Sequence, residues 1–346
     1  MSESPQTLMT EGPLLDAKGA LAQAGYQHYL SRQYHRSHIK ANGLRIKEWD
    51  YYCIASRDTV LALTIADNSY MGLDSVTLID LNTRWQHTKS FMRLFPMGKT
   101  GLPSTSAKGD VAVERKGYRL CFQNDGARRE LTVEVDRFFD GKPLRAHVTL
   151  TGEPEHSMVI ATPFPGKPKA FYYNQKINCL LAQGEVRFDD TVYPFTREDS
   201  MGVLDWGRGV WTYRNTWYWS SLSGRVDGVP FGLNLGYGFG DTSAATENMI
   251  FVDGKAHKLD QVEFLIPQKP EGGDDFLKPW QVRDNRGELA LTFTPVLDRA
   301  SLTSVGLIES DQHQVFGYFD GVATAHGRQY TLEHMLGFAE KVRNKW

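Results

Sequence analysis

The residues best suited to chemistry lie together in the stretch from position 205 to position 209. Asp205-Trp206-Gly207-Arg208-Gly209 sets an acid and a base three residues apart beside two glycines. Either the pair forms an ion pair that stabilises a turn, or both side chains point into a cavity. In the second case Asp205 is a candidate proton donor that Arg208 orients. Burial would favour protonated Asp205, whereas nearby cations would oppose it.

Aromatic residues cluster immediately after this segment. Four of the eight tryptophans, Trp206, Trp211, Trp217 and Trp219, fall within fourteen residues. If residues 210–221 form one strand, its period of two places Trp211, Tyr213, Trp217 and Trp219 on one face. The pattern therefore predicts a strand with an aromatic face.

The next predicted strand, residues 229–239, has a face that is almost bare backbone, with Asn234 among glycines. A hairpin that sets Ser221 opposite Pro230 would place Trp219 over Gly232 and Trp217 over Asn234. Two interpretations stay open. The missing side chains make room for a ligand beside an aromatic floor, or the rings fill glycine gaps in a barrel core.

Further polar residues extend the candidate site. Arg214, in the middle of a predicted strand, either points outward or forms an ion pair with a buried acid such as Asp205 or Glu247. His313 is a candidate for general acid–base catalysis; the alternative is a purely structural role. The candidate catalytic residues are thus Asp205, Arg208 and His313, and the candidate ligand-binding residues are Trp206, Trp211, Tyr213, Arg214, Trp217, Trp219, Asn234, Tyr237, Glu247 and Asn248.

Composition and motifs exclude several classes of protein. The 346 residues carry a net charge of -2 without long runs of like charge, which argues against a nucleic-acid-binding protein. No apolar run approaches the length of a membrane span, although peripheral membrane contact stays open, and the N-terminus lacks a signal-peptide pattern. Three scattered cysteines form no disulfide or metal pattern, as in a reducing compartment, so we expect a cytoplasmic protein without metal or cofactor.

The remaining elements are mostly short strands separated by turn dipeptides such as Asp227-Gly228 and Asp320-Gly321. Helical character is expected in residues 14–30, as short turns, and in residues 332–342, as a helix. Alternating long helices are missing, which excludes a βαβ architecture and leaves antiparallel barrels or sandwiches. The length favours two domains, and a proline-rich stretch followed by polar residues predicts residues 1–195 and 196–346 as their bounds.

Several segments in order resemble one family. They are Thr10-Glu11-Gly12-Pro13-Leu14-Leu15, Lys47-Glu48-Trp49-Asp50-Tyr51-Tyr52, Ala66-Asp67 with Tyr70, Asp205-Trp206-Gly207-Arg208-Gly209, Asn234-Leu235-Gly236-Tyr237-Gly238 with Glu247-Asn248, and Phe293-Thr294-Pro295. Together they resemble the bacterial family called domain of unknown function 2804, which is similar in architecture to AttH-like proteins and carotenoid 1,2-hydratase. The resemblance implies an all-β fold of two lipocalin-like (calycin-type) antiparallel β-barrel domains, with short helices expected near the termini. It carries over no catalytic residue.

Three functions are compatible with these features. The first is binding of a largely apolar small molecule, a lipid or isoprenoid, in a barrel or between barrels. The resemblance suggests cofactor-free hydratase, isomerase or cyclase chemistry there. The second is a non-catalytic lipid carrier or sensor, for which the same pocket suffices. The third is a carbohydrate-active protein, which needs an open cleft and, for a glycosidase, two carboxylates about 5–10 Å apart. The sequence leaves the oligomeric state open.

Overall fold

Antiparallel strands form almost all of the regular structure. The computed structural model describes residues 5–305 and 308–346, and within them lie 24 strands, two short 3-10 helices (Arg36–His38 and Gly43–Arg45) and no α-helix. The first strands are β1 (Gly12–Pro13), β2 (Gly25–Gln27), β3 (Arg32–Gln33), β4 (Ile46–Ala55), β5 (Thr59–Asp67), β6 (Met71–Asp80), β7 (Trp85–Leu94), β8 (Val111–Arg115), β9 (Tyr118–Asn124), β10 (Arg129–Phe139), β11 (Lys142–Thr151) and β12 (Met158–Phe164). The later strands are β13 (Lys167–Phe188), β14 (Thr191–Phe195), β15 (Met201–Val210), β16 (Arg214–Val226), β17 (Val229–Tyr237), β18 (Met249–Val252), β19 (Lys255–Lys258), β20 (Val262–Leu265), β21 (Trp280–Asp284), β22 (Leu289–Val305), β23 (Ile308–Ala325) and β24 (Arg328–Lys345).

Two large sheets contain nearly all of these strands. In the described residues the first sheet has 13 strands, with the central order β7-β6-β5-β4-β15-β13-β11-β10-β9-β8. The second has nine, in the order β19-β18-β17-β16-β24-β23-β22-β21-β20. Both curl into antiparallel half-barrels, each with an apolar core of its own. The predicted all-β, lipocalin-like architecture is therefore confirmed.

Burial along the strands shows how the two sheets pack together. In β10 buried and partly exposed residues alternate from Arg129 to Val135, as expected where one face meets a core and the other meets solvent. All ten residues of β15 are buried instead, because β16 of the second sheet covers its outer face. The two sheets thus enclose a shared interior, the inter-sheet layer, whose apolar part includes Tyr51, Cys53, Val203, Trp219 and Phe338.

The β16–β17 hairpin differs in register from the prediction. Ser221 lies opposite Asn234 rather than Pro230, so Trp219 faces Gly236. The shift arises because β16 continues to Val226 and the chain reverses at Asp227-Gly228, whose φ angles of 52° and 78° suit a two-residue hairpin turn. A shift of four residues preserves the faces of both strands, so Trp219 still lies over a glycine.

The predicted helices are wrong. Residues 332–342 belong to β24, which pairs with β16 and β23, and residues 337–342 are all buried. Residues 14–30 contain the short strand β2, a bridge and turns instead of helical turns. Pairing across the sheet outweighs the local helical preference in both segments. Asp320-Gly321 is not a turn either, since it lies at an irregularity within β23.

The chain passes from the first sheet to the second between Val210 and Arg214, where β15 ends and β16 begins. The domain division near residue 195 stays a prediction, and β15, which follows it, pairs with β4 and β13 of the first sheet. The predicted single strand over residues 210–221 is wrong, because Trp211 to Tyr213 interrupt it.

A bulge in β13 joins the sheets near their centre. At Asn178 and Cys179 the pairing with β15 shifts, and Cys179 adopts a φ of 61°. The bulge directs Asn178 Nδ2 at the second sheet, where it donates to Ser221 Oγ at 2.8 Å and to the carbonyl oxygens of Leu222 and Leu233 at 3.1 Å. The relative position of the half-barrels is thus held by a buried amide as well as by apolar packing.

Among the residues that the structure describes, no helix is long and apolar enough to cross a membrane.

Candidate functional site

A buried ion pair marks the centre of the inter-sheet layer. Lys176 of β13 and Asp205 of β15 lie opposite each other in the first sheet, and Lys176 Nζ is 3.0 Å from Asp205 Oδ1. Asn174 Nδ2, two residues along the same face of β13, donates to the same oxygen at 2.6 Å. The Lys176 side chain is 4% exposed, so its charge acts in a medium of low polarity.

Trp219 connects this ion pair to a second carboxyl group. Lys176 Nζ lies 3.8 Å from the centre of the Trp219 ring, a cation–π contact, and Trp219 Nε1 donates to Asn234 Oδ1 at 2.7 Å. Asn234 Nδ2 in turn donates to Glu247, at 2.8 Å to the main-chain oxygen and 3.4 Å to Oε2. Gly236 leaves room for this acid, since an added Cβ there would lie 2.5 Å from Glu247 Oε1.

Glu340 of β24 supplies a third carboxyl group. Trp217 Nε1 donates to Glu340 Oε1 at 2.8 Å, and Gln314 Nε2 donates to Glu340 Oε2 at 3.0 Å. Gln314 also contacts the hydroxyl of Tyr51, whose ring meets Trp219 edge-on at 6.1 Å. Three acids, from β15, from β24 and from the loop before β18, thus lie around Lys176; we call these four residues the acid cluster.

Burial controls protonation in the acid cluster. Loss of water raises the pKa of Glu340 to about 7, although the Trp217 hydrogen bond and the charge of Lys176 lower it. Loss of water also raises the pKa of Glu247, and the Asp205 carboxylate adds to that effect. With a pKa of about 7, Glu340 carries a proton in a large fraction of molecules near neutral pH, although the charges of Lys176 and Arg299 both oppose this.

Aromatic rings fill the layer on one side of the acid cluster. The ring of Trp211 meets those of Trp49, Trp217 and Phe239 with centroid distances of 5.2, 5.7 and 4.7 Å. Trp49 also stacks on Tyr172 at 6.2 Å. Gly207 makes this packing possible, because an added Cβ there would overlap the Trp49 ring. These rings form an apolar surface that leads to the acids.

On the other side of the acid cluster lies a cavity of about 20 Å³, lined by residues that include Cys53, Val203, Ser221, Phe316 and Phe338. Ligand pockets usually have volumes of about 300–1,000 Å³. Binding of a small molecule in the layer therefore requires its side chains to move apart.

Two predicted site residues lie on the opposite face of β15. Arg208 is fully buried. Its Nη2 donates to Asp50 Oδ1 at 3.0 Å and to Pro103 O at 2.7 Å, and its Nη1 donates to Trp49 O at 2.6 Å. Trp206 packs beside it in the core of the first half-barrel, with the guanidinium 4.2 Å from the ring centre. Alternation along a strand therefore separates Asp205 from Arg208, so the predicted contact between them is wrong.

Other predicted residues also lie apart from the acid cluster. Arg214 is exposed and Tyr213 is 42% exposed. Tyr237 stacks on Tyr218 in the second half-barrel, and its OH accepts from the Phe264 N–H at 3.2 Å. Asn248 binds the backbone of Gly236 and Asp260.

His313 is paired with Asp298 at 2.6 Å and stacks on Phe276, on the face of β23 opposite Gln314. The layer thus brings together Asp205, Trp211, Trp217, Trp219, Asn234 and Glu247 of the predicted set.

Sequence reasoning missed Lys176, Asn174, Gln314 and Glu340. Lys176 is the one charged residue in residues 170–182 of β13, and a lone charge in the middle of a predicted strand was the signal for it in the sequence. Glu340 was hidden because its segment was expected to be helical. Within residues 5–305 and 308–346, no three histidine, cysteine or acidic side chains are placed to hold a metal ion.

The fold and site define an all-β protein of two lipocalin-like half-barrels with charged groups between them. The chain belongs to the family described as Domain of unknown function (DUF2804), whose model matches residues 5–346. The family resemblance noted in the sequence is thereby confirmed. A comparison with curated proteins found no match.

Solved structures with this fold include one named as a hydratase. A putative AttH from Nitrosomonas europaea aligns with a TM-score of 0.55 and 14% identity over 95% of this chain and 98% of its own. CghA, crystallised with Sch210972, aligns with a TM-score of 0.57 and 12% identity over 99% and 97%. Kievitone hydratase from Nectria haematococca aligns with a TM-score of 0.50 and 12% identity over 98% and 97%. At these identities the likeness shows the fold alone.

Proposed function

We propose that this protein binds a small, largely apolar molecule, a lipid or isoprenoid, in the inter-sheet layer and adds, removes or shifts a proton on it without a cofactor. The observation that carries the proposal is the acid cluster itself. A buried acid with a pKa of about 7, Glu340, lies beside tryptophan rings and within the field of an ammonium–carboxylate pair. Groups with such perturbed pKa values are typical of general acids and bases.

Two acids of the cluster and a neighbouring tryptophan have distinct roles in this proposal. Glu340 donates its proton to an unsaturated carbon, because it is the acid with a pKa near neutrality. The ring of Trp217, which donates to Glu340, suits a developing carbocation, because the Trp219 face is already occupied by the Lys176 ammonium at 3.8 Å. Asp205, which lies 3.0 Å from Lys176 Nζ, takes a proton from water or carbon.

The step that follows protonation of the substrate determines the reaction. Addition of water gives hydration, loss of a different proton gives isomerisation, and attack by a second double bond followed by proton loss gives cyclisation. The named structural neighbours include a hydratase, which agrees with this reaction class.

Isotope incorporation tests the proposal. Native mass spectrometry of freshly purified protein, followed by organic extraction, identifies the bound molecule; that molecule is then incubated with the protein in deuterium oxide. An enzyme introduces deuterium at carbon, and Glu340→Gln reduces the rate at least about 100-fold, the usual contribution of a general acid. Glu263→Gln, which removes a surface carboxyl paired with Arg283, is the matched control and leaves the rate unchanged.

The outcomes separate the remaining functions. A bound lipid that acquires no deuterium, with equal affinity for wild type and Glu340→Gln, identifies a carrier and refutes the catalytic part. A protein that yields no lipid and binds none from a panel refutes apolar-ligand binding, and sugars then become the class to test.

A further inference from the structure

One end of the inter-sheet layer is lined by hydrogen-bond donors. Lys47, Trp49 and Tyr51 alternate along β4 on the face turned to the second sheet, so Lys47 lies about 13 Å from Tyr51 and the acid cluster. The residues around this lysine, which we call the donor cluster, are Arg45, Lys47, Tyr70, Trp211 and Trp346.

These residues are in mutual contact. Lys47 Nζ lies 4.1 Å from the centre of the Tyr70 ring and 5.0 Å from that of Trp346. Arg45 Nε donates to Trp211 O at 2.9 Å and Arg45 Nη1 to Trp346 O at 2.5 Å. The Trp211 and Trp346 rings meet at 6.3 Å. Two cations and three aromatic side chains therefore converge from β4, the β5–β6 turn and the segments flanking β16 and β24.

Most of the donors in this cluster are unused. Within the described residues, Arg45 Nη2, Tyr70 OH, Trp211 Nε1 and Trp346 Nε1 are buried and have no hydrogen-bond partner. Trp211 is 7% exposed, so its indole N–H has no access to bulk water. A buried donor without a partner typically costs about 1–3 kcal/mol of stability. Four such atoms in one place indicate a binding site for an acceptor.

The charges favour an anionic acceptor. Lys47 is fully buried, and the acceptor of its ammonium group is Asn68 O at 3.3 Å, a long contact for a group with three donors. Burial lowers the pKa of Lys47 to about 7; the charge of Arg45 lowers it further and that of Asp67 raises it, so a bound anion would favour the charged ammonium. The Asp67 carboxylate, however, accepts from Ser69 N, Gly98 N and Thr100 Oγ1 at 2.8–2.9 Å. An added anion would compensate both cations.

We propose that the donor cluster binds the anionic head group, such as a carboxylate, of the molecule whose apolar part reaches the acid cluster. This inference rests on the proposed function and narrows its ligand to an amphipathic acid. The aromatic rings of Trp211, Trp49 and Trp217 lie between the two clusters and would contact the apolar chain. The head group would thereby set which carbon lies beside Glu340.

The surface beside the donor cluster suits the entry of such a molecule. Leu44 and Phe95 are 43% and 63% exposed, and both adjoin the cluster, Leu44 through Arg45 and Phe95 through its N–H bond to Tyr70 O. Met97, also exposed, follows Phe95 closely in the chain. Apolar side chains at this edge offer contacts to a hydrocarbon chain on its way to the layer.

Calorimetric titration with matched probes tests the inference. Dodecanoate, dodecanol and methyl dodecanoate share a chain and differ in the head group. We expect dodecanoate to bind wild type at least about ten-fold more tightly than either neutral probe, because hydrogen bonds to a charged acceptor are stronger than those to a neutral one. Tyr70→Phe removes a buried hydroxyl without a protein partner, so it should raise the melting temperature of the free protein while weakening dodecanoate binding about five-fold.

Two further variants complete the test. Lys47→Met should abolish the preference for dodecanoate and leave the affinity for dodecanol unchanged. Tyr29→Phe, at an exposed tyrosine, is the control and should alter neither the preference nor the affinity. Equal affinity for all three probes in wild type overturns the head-group inference and leaves apolar binding standing. A preference for the acid that survives both Tyr70→Phe and Lys47→Met also overturns it. Failure of all three probes to bind counts against the proposed function itself.

Discussion

Glu340 should make the stability of the protein depend on pH in a way that one substitution removes. Its pKa is raised from 4.5 in the unfolded chain to about 7 in the folded protein, chiefly by loss of water. Below pH 4.5 the group is protonated in both states and has no effect. Between pH 4.5 and 7 the unfolded chain releases its proton first, so stability falls as pH rises.

The size of the effect follows from this difference. Each pKa unit corresponds to about 1.4 kcal/mol, so the raised pKa destabilises the folded protein by about 3 kcal/mol above pH 7. Glu340→Gln cannot ionise and retains an acceptor for the Trp217 N–H. The variant should therefore gain about 3 kcal/mol relative to wild type between pH 4.5 and pH 8.

Urea unfolding of both proteins, followed by tryptophan fluorescence at several pH values, measures this gain. Glu263→Gln, at a surface ion pair, is the control and should follow wild type. Parallel pH profiles of wild type and Glu340→Gln, within about 0.5 kcal/mol, would refute a buried acid with a raised pKa and remove the basis for its role as proton donor.

Two other substitutions test the packing that shapes the site. Gly236→Ala places a methyl group 2.5 Å from Glu247 Oε1 and should lower the free energy of unfolding in urea by about 1–3 kcal/mol. Gly43→Ala, where the nearest neighbour of the added methyl lies at 3.8 Å, is the control and should cost far less. Equal costs for the two variants would contradict the close packing of Glu247. Asn178→Ala removes the hydrogen bonds to Ser221, Leu222 and Leu233 and should lower the free energy of unfolding by about 2 kcal/mol. A cost below about 0.5 kcal/mol would show that the amide does not hold the sheets together.

The fold followed from the sequence more readily than the site did. Strand periodicity and turn dipeptides are local signals, so the all-β class and the aromatic hairpin were predictable. The hairpin register depended on where the turn closes, and Asp227-Gly228 offered the better local signal than the longer loop. A one-residue error would have reversed every face, but the actual error of four kept Trp219 and Asn234 in the same layer.

The acid cluster was largely beyond local reasoning. Glu340 meets Trp217 across a strand pair separated by more than one hundred residues in sequence, and helix-like composition concealed its strand. Asp205 was chosen for its neighbour Arg208, yet its partner is Lys176, which a register between distant strands brings opposite it. Alternation within β15 was the one local rule that could have separated Asp205 from Arg208 in advance.

Because both faces of β15 are buried, evolutionary substitutions on this strand are constrained from two sides. Odd-numbered residues such as Asp205 face the inter-sheet layer, and even-numbered ones such as Trp206 and Arg208 face the core of the first half-barrel. A substitution on this strand must fit the packed side chains on its own face. It must also leave the backbone in place for the residues that pack on the opposite face. For the proposed ligand site, variation should therefore be tolerated at the exposed rim of the layer, around Leu44 and Phe95, while residues 201–210 tolerate almost no exchange.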